Sequence, residues 1–250
     1  DVLLRLLLFW SMFLTLGESY SLDSNWNKKT RIVTSIGTAG VLIQVMMMYF
    51  FSAAIKSGPE WIDGSAAYFV LSIDQYSRPF GKWLLSLPKL LGLLTRSVHF
   101  IEWASPVLLF SPLYSETIRF IGIILLALMQ LGFALTLSID KFPWISITAL
   151  AIFIPTKMWD YISGSKDRRA YKEERIQHEK RKMRTTIVNG FAASALLIVL
   201  AWNVQSLGIN AVPNSIEPIA FALRLDQEWT MFAPEPLRDD GWYVMPGLLT

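Results

Sequence analysis

Long apolar runs alternate with short charged stretches along this chain, and the runs have the lengths of helices. Val2 to Leu16 is apolar except for Arg5 and ends at Gly17-Glu18. It falls short of the ~20 residues that a bilayer crossing needs, so it reads as a truncated span or an interfacial helix. A polar stretch, Ser19 to Thr34, carries Lys28, Lys29 and Arg31. Ile36 to Ile55 reads as a full span, broad and soft with Met46, Met47, Met48, Tyr49, Phe50 and Phe51. Gly58-Pro59 ends it. Ser57-Gly58-Pro59-Glu60 has capping-box spacing with an early proline, so a fresh helix is expected over Trp61 to Ile73.

Asp74 to Leu94 mixes Arg78, Lys82 and Lys89 with apolar residues and is broken by Pro79 and Pro88, the pattern of an amphipathic interfacial segment. Val98 to Phe110, Ile118 to Leu137 and Trp144 to Ile154 read as further helices, and Ile187 to Trp202 as the last span. The alternating segments of a membrane β-barrel are absent. The expected fold is therefore all-α: a polytopic integral membrane helix bundle over 1–206 with a short extramembrane tail over 207–250. The chain opens on Asp1 and stops in mid-pattern at Thr250, so a longer protein is expected around it.

Composition agrees with this. The chain is 53% hydrophobic and 17% charged, against ~25% charged for soluble domains, and its mean hydropathy is +0.39. Cysteine is absent, which removes disulfides and thiolate chemistry. The net charge of +3 collects in one block, Gly164 to Arg184, so nucleic-acid binding is a poor explanation for it. The positive-inside rule makes 164–186 cytoplasmic and puts the 207–250 tail on the opposite side. Anionic lipid headgroups are a second role for the block.

Candidate chemistry centres on Lys56, which ends an apolar run and opens Lys56-Ser57-Gly58-Pro59-Glu60-Trp61-Ile62-Asp63-Gly64. Ionisable groups near a bilayer are costly and are often kept for pathways or chemistry. One reading is a lysine snorkelling to the interface. The other is an amine desolvated among Tyr49, Trp61 and Phe80, which gives up its proton more readily and can serve as a base; Glu60 and Asp63 oppose this if they sit close. His99 and Glu102 are neighbours on one helical face, either satisfying each other or forming a relay or substrate contact. The chain has two histidines, and the other, His178, lies in the charged block, so no metal site is expected. Gly37-x-x-Gly40 reads as a packing feature. Trp229, Met231 and Phe232 need a surface to pack on, either the outer face of the bundle or the roof of a cavity near Lys56.

Tyr49-Phe50-Phe51-Ser52-Ala53-Ala54-Ile55-Lys56-Ser57-Gly58-Pro59-Glu60-Trp61 and Trp229-Thr230-Met231-Phe232-Ala233-Pro234, with Asp240-Gly241-Trp242, carry a likeness. So do Phe142-Pro143-Trp144-Ile145-Ser146 and the opening segment from Asp1 to Asp23. Together they resemble the horizontally transferred transmembrane (HTTM) domain family, which includes vitamin K-dependent gamma-glutamyl carboxylase. The resemblance covers nearly the whole chain and implies one or two helices before Asp1. It implies Lys56 as the base that deprotonates a reduced, vitamin K-like quinone, with His99 as a second catalytic residue. Glu102, Gln130, Trp61 and Trp229 would then bind substrate.

Gln130 stands where the family pattern leads one to expect histidine, and glutamine cannot shuttle a proton. The chain is also too short for the carboxylase's lumenal domain. Two functions follow. One is a carboxylase-like, quinol- or lipid-linked membrane enzyme. The other is a non-catalytic subunit that packs on partner membrane proteins and lipids in a larger complex. A transporter is a third reading, and the lack of an internal repeat counts against it.

Overall fold

The structure is a computed structural model that describes residues 1–14, 35–155, 158, 161 and 182–241. The polar stretch before the second helix, most of the charged block with His178, and Trp242 lie outside the described residues. The described residues form helices, with no strand beyond an isolated bridge between Ser77 and Leu137. The helices are α1 (Val2–Ser11), α2 (Ile36–Ile55), α3 (Pro59–Asp63), α4 (Ala66–Ser72), α5 (Pro79–Leu84), α6 (Pro88–Phe110), α7 (Ser115–Thr136), α8 (Phe142–Leu150), α9 (Lys182–Gln205) and α10 (Glu217–Ala222).

Three of these stretches are long and apolar enough to cross a membrane: Ile36–Ile55, Ser115–Thr136 and Thr186–Gln205. The chain is an all-α membrane helix protein.

The core follows the apolar faces. Leu3, Leu6 and Trp10 of α1 are fully buried, as are Val45 of α2, Leu126 of α7 and Val199 of α9. Gly37 and Gly40 are the packing feature their spacing implies. A Cβ on Gly40 would lie 2.4 Å from the Trp10 ring, and one on Gly37 would lie 2.5 Å from Phe13 Cβ. Phe13 in turn has its ring 5.9 Å from that of Phe191, near the start of α9, while Asn203, near the end of α9, reaches Met47. Helices α2 and α9 therefore run parallel, and α9 delivers the chain to the end of the bundle that holds Lys56.

Several boundaries differ from the sequence expectation. The expected helix over Trp61 to Ile73 is two short ones, because Gly64 takes the left-handed conformation, φ 91°, and caps α3. The capping box does not form. Gly58 is the N-cap and makes no side-chain cap, and Glu60 is turned inward to Arg238. The boundary expected between Leu94 and Val98 is also absent. Pro88 starts α6 instead, and α6 continues unbroken through Arg96 and past Pro106.

After α9 the chain folds back. The stretch after α10 crosses the Lys56 end of the bundle and is tied to it along its length. Arg5 donates to the carbonyl of Asp226, Gln44 Nε2 donates to Gln227 Oε1 at 2.8 Å, and Trp229 Nε1 donates to Asn203 Oδ1 at 2.9 Å. Farther on, Trp61 Nε1 donates to the Phe232 carbonyl at 3.2 Å and the Gly58 amide to the Pro234 carbonyl at 2.9 Å. The Ala233-Pro234 bond is cis. Leu225 and Trp229 belong to the main apolar core.

Candidate functional site

Tyr49, Ser52 and Lys56 fall at i, i+3 and i+7, so one face of α2 carries all three. That face meets α6 at Glu102. Lys56 Nζ lies 2.7 and 2.5 Å from the two Glu102 oxygens, and the two side chains are 5% and 4% exposed. Ser52 Oγ reaches Glu102 Oε1 at 3.5 Å. The ammonium also lies 4.6 Å from the centre of the Trp61 ring, a cation–π placement. A charge pair this well buried is retained at a cost in desolvation, which makes it a candidate for function.

The pair sits in the wall of a cavity of about 420 Å³ whose other walls are mainly Leu, Val, Met and Phe side chains. Trp61, Gln130 and Trp229 line this cavity together with Lys56 and Glu102. Trp229, Met231 and Phe232 roof it, the sharper of the two placements open for the tail. Gln130 Nε2 faces the Tyr49 hydroxyl at 3.5 Å, while Gln130 Oε1 is buried with no partner. A buried acceptor without a donor is costly unless something supplies one. The cavity therefore presents a charged pair, an unpaired amide oxygen and otherwise apolar walls. An apolar lining with a few convergent polar groups is the usual make-up of small-molecule pockets.

His99 is placed differently. It lies outside the cavity wall, on α6 behind Trp61, with the two rings stacked 6.0 Å apart. It does not pair with Glu102. Trp103 Nε1 donates to His99 Nε2 at 2.9 Å, which leaves the ring proton of the neutral form on Nδ1. Nδ1 is buried without a partner.

The carboxylate that meets Lys56 is neither of those close to it in sequence. Glu60 pairs with Arg238, and the Asp63 carboxylate accepts from the Ser65 amide at 2.8 Å. Hydrogen bonds from the Ser65 side chain and then its amide hold Asp63 below the usual carboxylate range. Phe80 is not beside Lys56 either. It is 47% exposed and stacks on Trp83, 5.5 Å away.

Ser52 was missed by sequence reasoning, although its i−4 position from Lys56 marked it. The Glu60–Arg238 and Arg5–Asp226 pairs had no local signal, since their partners are more than a hundred residues apart. Among the described residues no cluster of three potential metal ligands occurs.

No curated protein and no solved structure matches the chain. Residues 1–159 match the HTTM domain, and that stretch contains α1 to α8 and both members of the buried Lys56–Glu102 pair. The chain belongs to the HTTM domain family.

Proposed function

We propose that this protein is a membrane enzyme that acts on an apolar molecule carrying an ionisable head, with Lys56 and Glu102 as a joined acid–base pair. The observation that carries the reading is the position of that pair in the wall of a cavity otherwise lined by apolar side chains. Between them the two groups hold one mobile proton. With the proton on Glu102, the Lys56 amine is free to accept another from a hydroxyl on the bound head. The ammonium so formed then holds the negative charge left on that oxygen. A positioned base of this kind contributes roughly 10²–10⁴-fold to a rate.

The carboxylase resemblance suggests a reduced quinone as the molecule, and the cavity fits one on two counts. Its volume of about 420 Å³ is within the range of small-molecule pockets, and the buried Gln130 oxygen lacks a donor that a ring hydroxyl could supply. Gln130 binds in this scheme; it cannot move a proton. Trp61 and Trp229 close the cavity around the head.

The parallel run of α2 and α9 supports a sidedness for the cavity. In sequence, basic residues precede both helices (Lys28, Lys29 and Arg31 before α2, the charged block before α9), and Lys56 closes the far end of α2. With the starts of α2 and α9 on the cytoplasmic side, as the positive-inside rule has it, the cavity and its roof belong to the opposite leaflet.

The test is purification in mild detergent, with mass spectrometry of extracted lipids and of co-purifying chains. A stoichiometric quinone or isoprenoid, lost from the variant Lys56→Met/Glu102→Leu, is expected. A constant set of partner chains with no such molecule, unchanged in that variant, would overturn the enzyme reading in favour of a packing subunit.

A further inference from the structure

The cavity that holds Lys56 and Glu102 reaches the outside of the bundle between α6 and α7. Leu94 of α6 and Leu128 of α7 both line it, yet they are 39% and 58% exposed. These two side chains therefore have one side on the cavity and the other on the surroundings. Gly132, one turn beyond Leu128, also lines the cavity, and a Cβ built on it meets nothing within 4 Å. Elsewhere on α7 the same test gives the opposite result: a Cβ on Gly122 would lie 2.8 Å from Leu108 Cβ, where the two helices are in close contact. The pair is thus closed at Gly122 and open at Gly132.

What lies outside this opening is set by α7. It has the highest hydropathy of the three membrane-length stretches, 2.2 against 1.7 and 1.9. At a rise of 1.5 Å per residue, Gly132 and Leu128 lie about 6 and 12 Å from the Thr136 end of the helix. The opening is therefore at the depth of acyl chains just below the interface. Gln130 lies between Leu128 and Gly132 in sequence and roughly 200° around the helix from each. The cavity thus passes α7 from its polar side, at Gln130 and Tyr49, to its lipid side, at Leu128 and Gly132.

We propose that this gap is a lateral mouth, that the natural ligand is a membrane-resident amphiphile with a long apolar tail, and that Gly132 sets the bulk of the tail the mouth admits. The inference rests on the reading of Lys56 and Glu102 as the head-group site. The head lies at the charged pair while the tail leaves between α6 and α7 into the bilayer. No solvent-filled route to the head is needed, because the ligand slides in from the membrane. A side chain at position 132 larger than alanine would stand in the tail's path without touching the head-group site.

The experiment measures binding of two probes to the protein in nanodiscs: a menaquinol with an isoprenoid tail, and tail-less menadiol. The variants are Gly132→Phe, Gly132→Ala and Lys56→Met/Glu102→Leu. Because the space at Gly132 is open, Gly132→Phe is expected to fold, and its unfolding temperature checks this. Gly132→Phe should weaken the tailed probe by about tenfold or more, the size of an overpacking penalty, and leave menadiol unchanged. Gly132→Ala should bind both as wild type does. Lys56→Met/Glu102→Leu should weaken both probes.

Equal effects of Gly132→Phe on the two probes, or none on either, would overturn the lateral mouth while leaving the head-group site intact. Undiminished binding of both probes to Lys56→Met/Glu102→Leu, or no binding of either to wild type, would remove the quinol reading of the site and the mouth with it.

Discussion

Breaking the Lys56–Glu102 pair from either side should destabilise the protein with opposite dependence on pH, and removing both partners should undo most of the damage. Lys56→Met leaves Glu102 in a site 4% exposed, with Ser52 as its remaining partner. A bare carboxylate there takes up a proton. Holding an ordinary carboxyl protonated at pH 7 costs about 3.7 kcal/mol, from 1.36 kcal/mol per unit over the distance from ~4.3. The folded variant then binds one proton more than the unfolded chain. Its stability falls as pH rises above the usual carboxylate range, by up to about 1.4 kcal/mol per unit. Glu102→Gln leaves a buried amine instead, and holding an ordinary amine neutral at pH 7 costs about 4.6 kcal/mol. In that variant a neutral buried amine leaves the extra proton to the unfolded chain, so stability rises with pH below the usual lysine range.

Both figures agree with the ~3–5 kcal/mol expected when one partner of a buried pair is removed. Lys56→Met/Glu102→Leu leaves no charge to neutralise and should lie within about 1–2 kcal/mol of wild type, with a flat pH profile. The assay is unfolding by SDS in mixed micelles at several pH values, analysed as a double-mutant cycle. Additive losses in the double variant, or single variants without a pH slope, would refute the reasoning. The same cycle qualifies any activity measurement. Lys56→Met alone disturbs stability as well as chemistry, so the double variant is the fairer test of function.

Gly40→Ala should destabilise by about 1–3 kcal/mol, because its Cβ would meet the Trp10 ring at 2.4 Å; thermal unfolding that matches wild type would show that α1 can shift aside. Gln44→Leu or Gln227→Leu should each cost about 1–3 kcal/mol by stranding the other amide, since the two side chains are buried and joined at 2.8 Å. The double change should cost less than the sum, as measured by the same unfolding assay.

The parts of the fold that were legible in sequence are those in which a single segment decides. The span Ile36 to Ile55 matches α2 to the residue, because a run of apolar side chains and a Gly-Pro stop are local signals. The Gly37–Gly40 contact was legible for the same reason. What failed depended on distant residues. Ser57-x-x-Glu60 has the letters of a capping box, but the helix starts one residue later, with Gly58 as its N-cap, and Glu60 pairs with Arg238, 178 positions away. His99 and Glu102 were placed on one face correctly, yet α2 supplies the partner of Glu102 and Trp103 that of His99. Lys56, Glu102, Gln130, Trp61 and Trp229 come from four separate stretches of chain and share one cavity. Spacing along the chain contains no hint of that meeting; the family resemblance is what assigns these five residues to one site.

The helix break and the roof depend on each other at Gly58, and this can be tested. Gly58 has φ −65°, a conformation any residue adopts, so its backbone does not require glycine. Space does. A Cβ there would lie 2.6 Å from Glu235 Cβ and 2.9 Å from the Pro234 carbonyl oxygen, the acceptor for the Gly58 amide. Two effects of Gly58→Ala compete. Restricting the unfolded chain stabilises by about 0.4–1 kcal/mol. Overpacking against backbone costs about 1–3 kcal/mol. The second should win, because the Pro234 carbonyl is fixed by its neighbours and cannot rotate away as a side-chain tip can. The roof should then lift, loosening the Trp61–Phe232 and Arg238–Glu60 ties beside it. The expected result is a lower unfolding temperature together with faster cleavage by trypsin at Arg238. A variant that is neutral or stabilised, with unchanged cleavage, would mean that the tail gives way freely at this point and does not hold the cavity closed.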